Sequence, residues 1–341
     1  MVVDSICLAH DFLASAAFKD SHTKLAPRKV FPILSTLLSL LTNDRLPIRN
    51  FLDNDELALR YYGCAGLEVS QKTWATLISL PATFQQQALL LAIFSDSLVV
   101  GLDLPDSICN ALTALDIPFI DFCIFPISFL HKTIFGARSN LPRLRELFRS
   151  SCVDIQQLKL EASFTIAKCA PSWQEEKVGY GHYAAFICQA QYDAQRVAGG
   201  KLLNIEDFSA EIAMICKNNP GIYALASDDS SLRDQLYLTQ HFPGIVPYTG
   251  SLPTLLCDYH INSVYSISDW HCHTAQFFGK RGETFLPAHT RYSLDTITES
   301  TRLAIQSDLF DPGMWQAALA SLDIPADAKN LRIPEYDLLF A

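Results

Sequence analysis

Charge is scarce in this chain. Of its 341 residues only 18% are Asp, Glu, Lys or Arg, against roughly 25% in an average globular protein. With 49% apolar or aromatic residues, the composition excludes a disordered chain and supplies a large core. Basic clusters are lacking as well. The formal charge is −10 and the lysines and arginines are scattered, which excludes the concentrated basic face that a nucleic-acid backbone requires. A single small anion stays open, because a few basic groups or a helix N-terminus suffice for it. No C-x-x-C pair occurs among the ten cysteines, most of which lie inside apolar runs. They read as reduced, buried thiols of a cytosolic protein. The opening "MVVDSICLAHDFLASAAF" has an acid at position 4 and no basic stretch, unlike a signal peptide. No apolar run reaches the roughly 18 residues of a membrane span. The nearest, "QQQALLLAIFSDSLVVGL", is broken by Ser95, Asp96 and Ser97.

Several catalytic fingerprints are missing too. There is no G-x-G-x-x-G, no G-x-x-x-x-G-K-[ST], no H-E-x-x-H and no G-x-S-x-G. A fingerprinted dinucleotide site, P-loop phosphoryl transfer and the usual serine hydrolase are therefore unsupported.

What is present is alternation. "HYAAFICQ" reads as a strand and "NIEDFSAEIAMICKNNPG" as a helix with an Asn204 cap and a Pro–Gly stop. Strand "IYALA", helix "SSLRDQLYLTQHF", strand "GIVPY", helix "SLPTLLCDYH", strand "INSVYSIS", helix "DWHCHTAQFFGK" and strand "ETFLPA" continue the series. In the first half "LALRYYGCAG", "LVVGLDL" and "IPFIDFCIF" read as strands, and "PDSICNALTALD" and "NLPRLRELFRSS" as helices. The chain before residue 56, and "TITESTRLAIQSDLF" with "GMWQAALASL" near the other end, read as helical additions. Short strands alternating with helices imply right-handed crossovers and parallel sheets. The expected architecture is α/β, with two sheets facing across a cleft. A polar linker near 168–181 divides residues 1–176 from residues 177–341.

Asp193 lies just beyond a buried strand, where ligands of open α/β sheets bind. A turn aspartate capping a nearby amide is the competing reading. Cys257, His260, His271 and His273 form C-x2-H and H-x-H pairs of zinc-ligand types. His271 and His273 sit two apart in an expected helix, on different faces, so no metal is expected. Trp173, Trp270 and Trp315 read as packing aromatics. Gly199 and Gly200 either turn the chain or admit a ligand.

Four segments, in matching order from about residue 95 to 285, resemble the retaining β-Kdo transferases of bacterial capsule and O-antigen assembly. "SDSLVVGLDLP" resembles that family's strand ending in an acid, "IDFCIFPISFLHKTIFGARSN" the segment after it, and "FICQAQYDAQRVAGGKLLNIEDF" the stretch with the catalytic aspartate. "VPYTGSLPTLLCDYHINSVYSISDWHCHTAQFFGK" resembles its donor-binding segment. The resemblance implies a GT-B fold of two Rossmann-like domains and a CMP-activated 2-keto sugar acid as donor, with no metal or other cofactor. Net retention through a covalent glycosyl-enzyme is also implied, with Asp193 as nucleophile and Asp103 as proton acceptor. Donor contacts would come from Gln189, Ser227, Tyr248, Ser268, Asp269, His271 and Lys280. The implied partners are a glycan or glycolipid acceptor, with other glycosyltransferases or the inner membrane face beside a cytoplasmic enzyme.

The chain also departs from the family. Ser227 and Asp228 stand where it has His–Pro, Asp269 and Trp270 interrupt its serine run, and Ser128 replaces an arginine. An acid beside an expected phosphate is electrostatically unfavourable. Three readings stay open: a related donor held by His271 or Lys280, a Kdo-type enzyme using His260 or His271, or a non-catalytic GT-B-fold scaffolding subunit. A UDP- or GDP-sugar enzyme is a further variant.

Overall fold

The computed structural model describes residues 3–18, 27–51, 55–169, 183–191, 193–226, 228–286, 292–306, 308–328 and 331. In chain order the strands are β1 (Ser5–His10), β2 (Ile48–Asn50), β3 (Ser97–Leu102), β4 (Phe119–Ile124), β5 (Phe135–Ser139), β6 (Tyr183–Cys188) and β7 (Val197–Ala198). They continue with β8 (Lys201–Leu202), β9 (Gly221–Ala226), β10 (Ile245–Tyr248), β11 (Ile261–Ser266), β12 (Arg281–Thr284), β13 (Tyr292–Ser293) and β14 (Arg302–Ile305).

Two sheets carry the fold. The first has seven strands in the order β13-β14-β5-β4-β3-β1-β2, and the second has five in the order β10-β9-β6-β11-β12. Every pairing of the second sheet is parallel. Its strands, renumbered within the sheet, follow the order 3-2-1-4-5, the doubly wound arrangement whose strand order reverses between the first and fourth members. That reversal falls between β6 and β11. The first sheet is parallel from β2 through β1 and β3 to β4, then antiparallel across β5 and β14. Its order reverses between β1 and β3.

Several expected elements are revised. "LALRYYGCAG" lies on helix Asp55–Cys64, not a strand: its buried residues Leu57, Ala58, Tyr61 and Tyr62 repeat at helical spacing. The chain before residue 56 contains a central strand, β1, which pairs with β3 over six residues. "TRLAIQSDLF" contributes β14, not a helix, because Leu303, Ala304 and Ile305 pair with β5. The last expected strand lies a few residues earlier, as β12. β13 and β14 join the first sheet, and helix Pro312–Ala320 packs into its core. Trp315 of that helix is fully buried, packs against Phe122 of β4 at 5.6 Å and donates its indole N–H to Leu309 O at 2.7 Å. Each such large apolar side chain contributes ~1.5–3 kcal/mol of burial. The expected linker falls largely on residues outside the described ones.

One aromatic contact joins the two halves, and a second lies beside it. Phe125, beyond β4, meets Trp270 at 4.9 Å and Tyr292 at 5.3 Å, both edge-on. The β7–β8 hairpin turns on Gly199 and Gly200, with φ of +56° and +76°, the left-handed pair that a two-residue hairpin loop demands. Those glycines therefore turn the chain. The hairpin packs Val197 into the core of the first half, against helix Gln71–Ser79. Among the described residues no single helix is long and apolar enough to cross a membrane.

Candidate functional site

The strand-order reversals of the two sheets are where the acidic residues gather. In the first sheet His10 pairs with Leu102 at the carboxyl ends of β1 and β3, so Asp11 and Asp103 leave adjacent strands side by side. Asp103 is half-buried with φ +56°. Asn43, Asp44, Asp96, Asp116 and Asp323 adopt the same backbone region at turns, so for Asp103 this marks a tight exit from the strand rather than strain peculiar to a site. Its amide donates to Phe122 O at 2.8 Å.

A buried ionic cluster fixes that turn. Asp121 of β4 accepts from Arg138 Nε at 2.8 Å, from Arg302 Nη2 at 2.8 Å, and from the Leu104 amide at 2.9 Å. Both guanidiniums also donate to Leu104 O, at 2.6 and 3.1 Å, and Arg138 reaches Asp106 Oδ1 at 2.6 Å. Desolvated charges persist only when paired and hydrogen-bonded like this.

Asp11 is a residue that sequence reasoning passed over. It is buried, and its Oδ1 accepts the Leu13 and Ala14 amides at 3.1 and 2.9 Å. Burial pushes its carboxyl up to about 7; the two amide bonds pull down, and the charges of Asp103 and Asp121 add to the rise. The available signal was the same one that flagged Asp193: a carboxylate just past an apolar run, here "SICLAHD".

In the second sheet Gln189 follows β6 and Ser268 follows β11. Gln189 Oε1 accepts the Ser268 amide at 2.9 Å and the Ser266 hydroxyl at 3.2 Å, while its Nε2 donates to Asp193 Oδ2 at 3.1 Å. Gln189 and Ser268 are both buried. Asp193 Oδ1 accepts the Gln195 amide at 2.8 Å, so the carboxylate does cap a turn as well. Buried Arg196 braces the loop, donating to Gln189 O at 3.1 Å and pairing with Asp234 at 3.2 Å. Asp193 is half-buried and immediately precedes the hairpin that docks on the first half.

Tyr292 of β13 lies against the loop beyond β4. This half-buried residue packs on Phe125 and Trp270. Burial drives its phenol well above the usual range, and the charges of both Asp103 and Asp193 push it the same way.

The other expected donor contacts divide. Asp269 and His271 follow Ser268 directly; Asp269 Oδ1 lies 2.7 Å from His271 Nδ1, and the Asp269 amide donates to Ser266 Oγ at 2.7 Å. Lys280 is not brought into the site: its Nζ donates to Asp258 O at 2.6 Å, before the amino ends of β11 and β12, the opposite end of the sheet. Tyr248, the last residue of edge strand β10, packs edge-on against Tyr223 at 5.6 Å. Ser227 lies outside the described residues. Asp228 is exposed and caps its own turn, accepting the Ser231 amide at 3.0 Å. Cys257 and His260 sit before β11 and His271 and His273 after it, a strand length apart. Among the described residues no group of three or more His, Cys, Asp or Glu converges as metal ligands would.

No protein-family model and no curated protein matches the chain. Solved structures similar to it include two from Thermosulfurimonas dismutans KpsC. Against the β-Kdo 2,4 transferase it is 14% identical, with a TM-score of 0.35, covering 53% of this chain and 66% of that one. Against the β-Kdo 2,7 transferase it is 11% identical, with a TM-score of 0.36, covering 92% of this chain and 90% of that one.

Proposed function

We propose that this chain is a retaining glycosyltransferase of GT-B arrangement, moving a Kdo-like 2-keto sugar acid from a CMP donor to a bacterial surface glycan. The reading is supported by one observation above others: carboxylates Asp103 and Asp193 each stand just past the carboxyl end of a strand at the order reversal of a different sheet. Ligands of open α/β sheets bind at such reversals. Asp193 attacks the anomeric carbon, the bond to the phosphate oxygen breaks, and CMP departs with that electron pair. The acceptor hydroxyl then attacks the same carbon from the opposite face, giving its proton to Asp103 and releasing Asp193. Two inversions leave the configuration retained.

Asp193→Ala and Asp193→Asn abolish transfer while melting temperature and circular dichroism stay near wild type. Intact-mass measurement with donor alone finds one glycosyl adduct, located on Asp193. Full transfer by Asp193→Ala eliminates the nucleophile assignment. A second reading, a non-catalytic scaffolding subunit of a glycan assembly complex, is favoured by the capping bond from Gln195 to Asp193. It expects no nucleotide binding in a thermal-shift panel of CMP, CDP, UDP and GDP, which also reports a UDP- or GDP-sugar enzyme.

A further inference from the structure

Two thiols meet at the end of the second sheet away from Asp193. Cys169 is the last residue of helix Ile155–Cys169 and Cys257 the last of helix Leu252–Cys257, and the two helices pack against each other. Both residues belong to one apolar cluster: Cys257 is buried within it, and half-buried Cys169 packs on it. Their thiols are hydrogen-bonded to each other. A thiol is a weak donor and a weak acceptor, so the contact matters for placement: it holds two sulfurs together that are far apart in sequence.

The two differ in reactivity. Burial pushes the Cys257 thiol up to about 12, and its bond to Cys169 adds to the rise. The Lys280 ammonium, which donates to the carbonyl of the following residue, Asp258, works the other way. A thiol buried like this does not react with a reagent in solution. Solvent reaches Cys169, so chemistry starts there.

We propose that Cys169 and Cys257 form a reversible disulfide that ties helix Ile155–Cys169 to helix Leu252–Cys257. The oxidant is a low-molecular-weight disulfide such as oxidised glutathione. The Cys169 thiolate attacks one of its sulfurs, a mixed disulfide forms, and one glutathione thiolate leaves. Cys257 gives up its proton and attacks the Cys169 sulfur, and the second glutathione thiolate leaves. The two cysteine protons end on the two released thiols, so two protein thiols are oxidised while one reagent disulfide is reduced. The closed loop encloses β6 to β10 and restrains the unfolded chain, which raises the melting temperature. In a reducing thiol pool the pair stays open.

The test needs no turnover and is independent of any role for Asp193. The native protein is incubated with oxidised glutathione, remaining thiols are alkylated, and a non-reducing digest is read by mass spectrometry. Wild type yields a Cys169–Cys257 peptide lighter by two hydrogens, reversed by dithiothreitol, and the oxidised protein melts higher than the reduced one. Cys257→Ala accumulates roughly ten-fold more mixed disulfide at Cys169 than wild type and gains no melting temperature on oxidation. Cys169→Ser, at a half-exposed helix end, is the folded control if Cys257→Ala does not fold, and its Cys257 stays unmodified. Alkylation of both cysteines after oxidation, a persistent mixed disulfide at Cys169 in wild type, or a link formed only in urea overturns the site.

Discussion

Gln189 holds Asp193 by one hydrogen bond, Nε2 to Oδ2 at 3.1 Å, and its other amide atom is already committed to the Ser268 amide at 2.9 Å. The side-chain oxygen must face the Ser266 and Ser268 donors, so the nitrogen must face Asp193. Nothing in this arrangement lets the amide turn over without losing both sets of bonds.

That fixed polarity makes Gln189→Glu informative. A carboxylate there faces Asp193 with like charge, which raises the Asp193 pKa. Transfer falls about 10- to 100-fold at neutral pH, and the acid limb of the pH–rate profile moves to higher pH. A wild-type profile removes Gln189 as a positioning residue.

The Asp121 cluster is a stability element. Asp121→Ala leaves the guanidiniums of Arg138 and Arg302, both buried, without their shared carboxylate and costs about 3–5 kcal/mol. Urea unfolding measures it. A loss under 1 kcal/mol would mean the two arginines find other partners.

Asp11 sets a pH dependence. Its folded pKa of about 7 exceeds the 3.8 of the unfolded chain, so the folded state holds more protons between those values. The contribution of Asp11 is full below about pH 4 and is lost as pH rises through about 7. Asn at this position keeps the cap and removes the charge. Asp11→Asn therefore matches wild type near pH 4 and gains up to ~3–4 kcal/mol by pH 8. Parallel stability curves for the two proteins refute this.

Gly282 leaves no room for a side chain. A Cβ there would lie 1.7 Å from the Cys272 carbonyl oxygen, backbone of the same turn that carries His271. Gly282→Ala forces that turn to move, at a cost of about 3 kcal/mol or more. Unchanged melting temperature would show that the turn relaxes freely.

Strand ends that bear acids were legible because the signal is local: an apolar run of one strand length, then Asp103 or Asp193. The Gln189–Ser268 pairing was half legible, as two residues named without a link between them. Asp11 obeys the same local rule, but the short apolar stretch of β1 suits a helix equally well until β3 pairs with it.

Local pattern by itself determined that this chain builds parallel α/β sheets, for strand and helix periods are written in consecutive residues. Pairing is not. Only the tertiary structure decided that "RLAI" joins β5 more than 160 positions earlier, since a four-residue apolar segment suits either a helix or a strand until a neighbour supplies its hydrogen bonds. It likewise decided that Lys280 stands at the far end of the second sheet from the strand-end cluster while Asp11 sits beside Asp103. Which end of a sheet a loop residue occupies depends on chain direction and strand order in space, and residue type carries no trace of either.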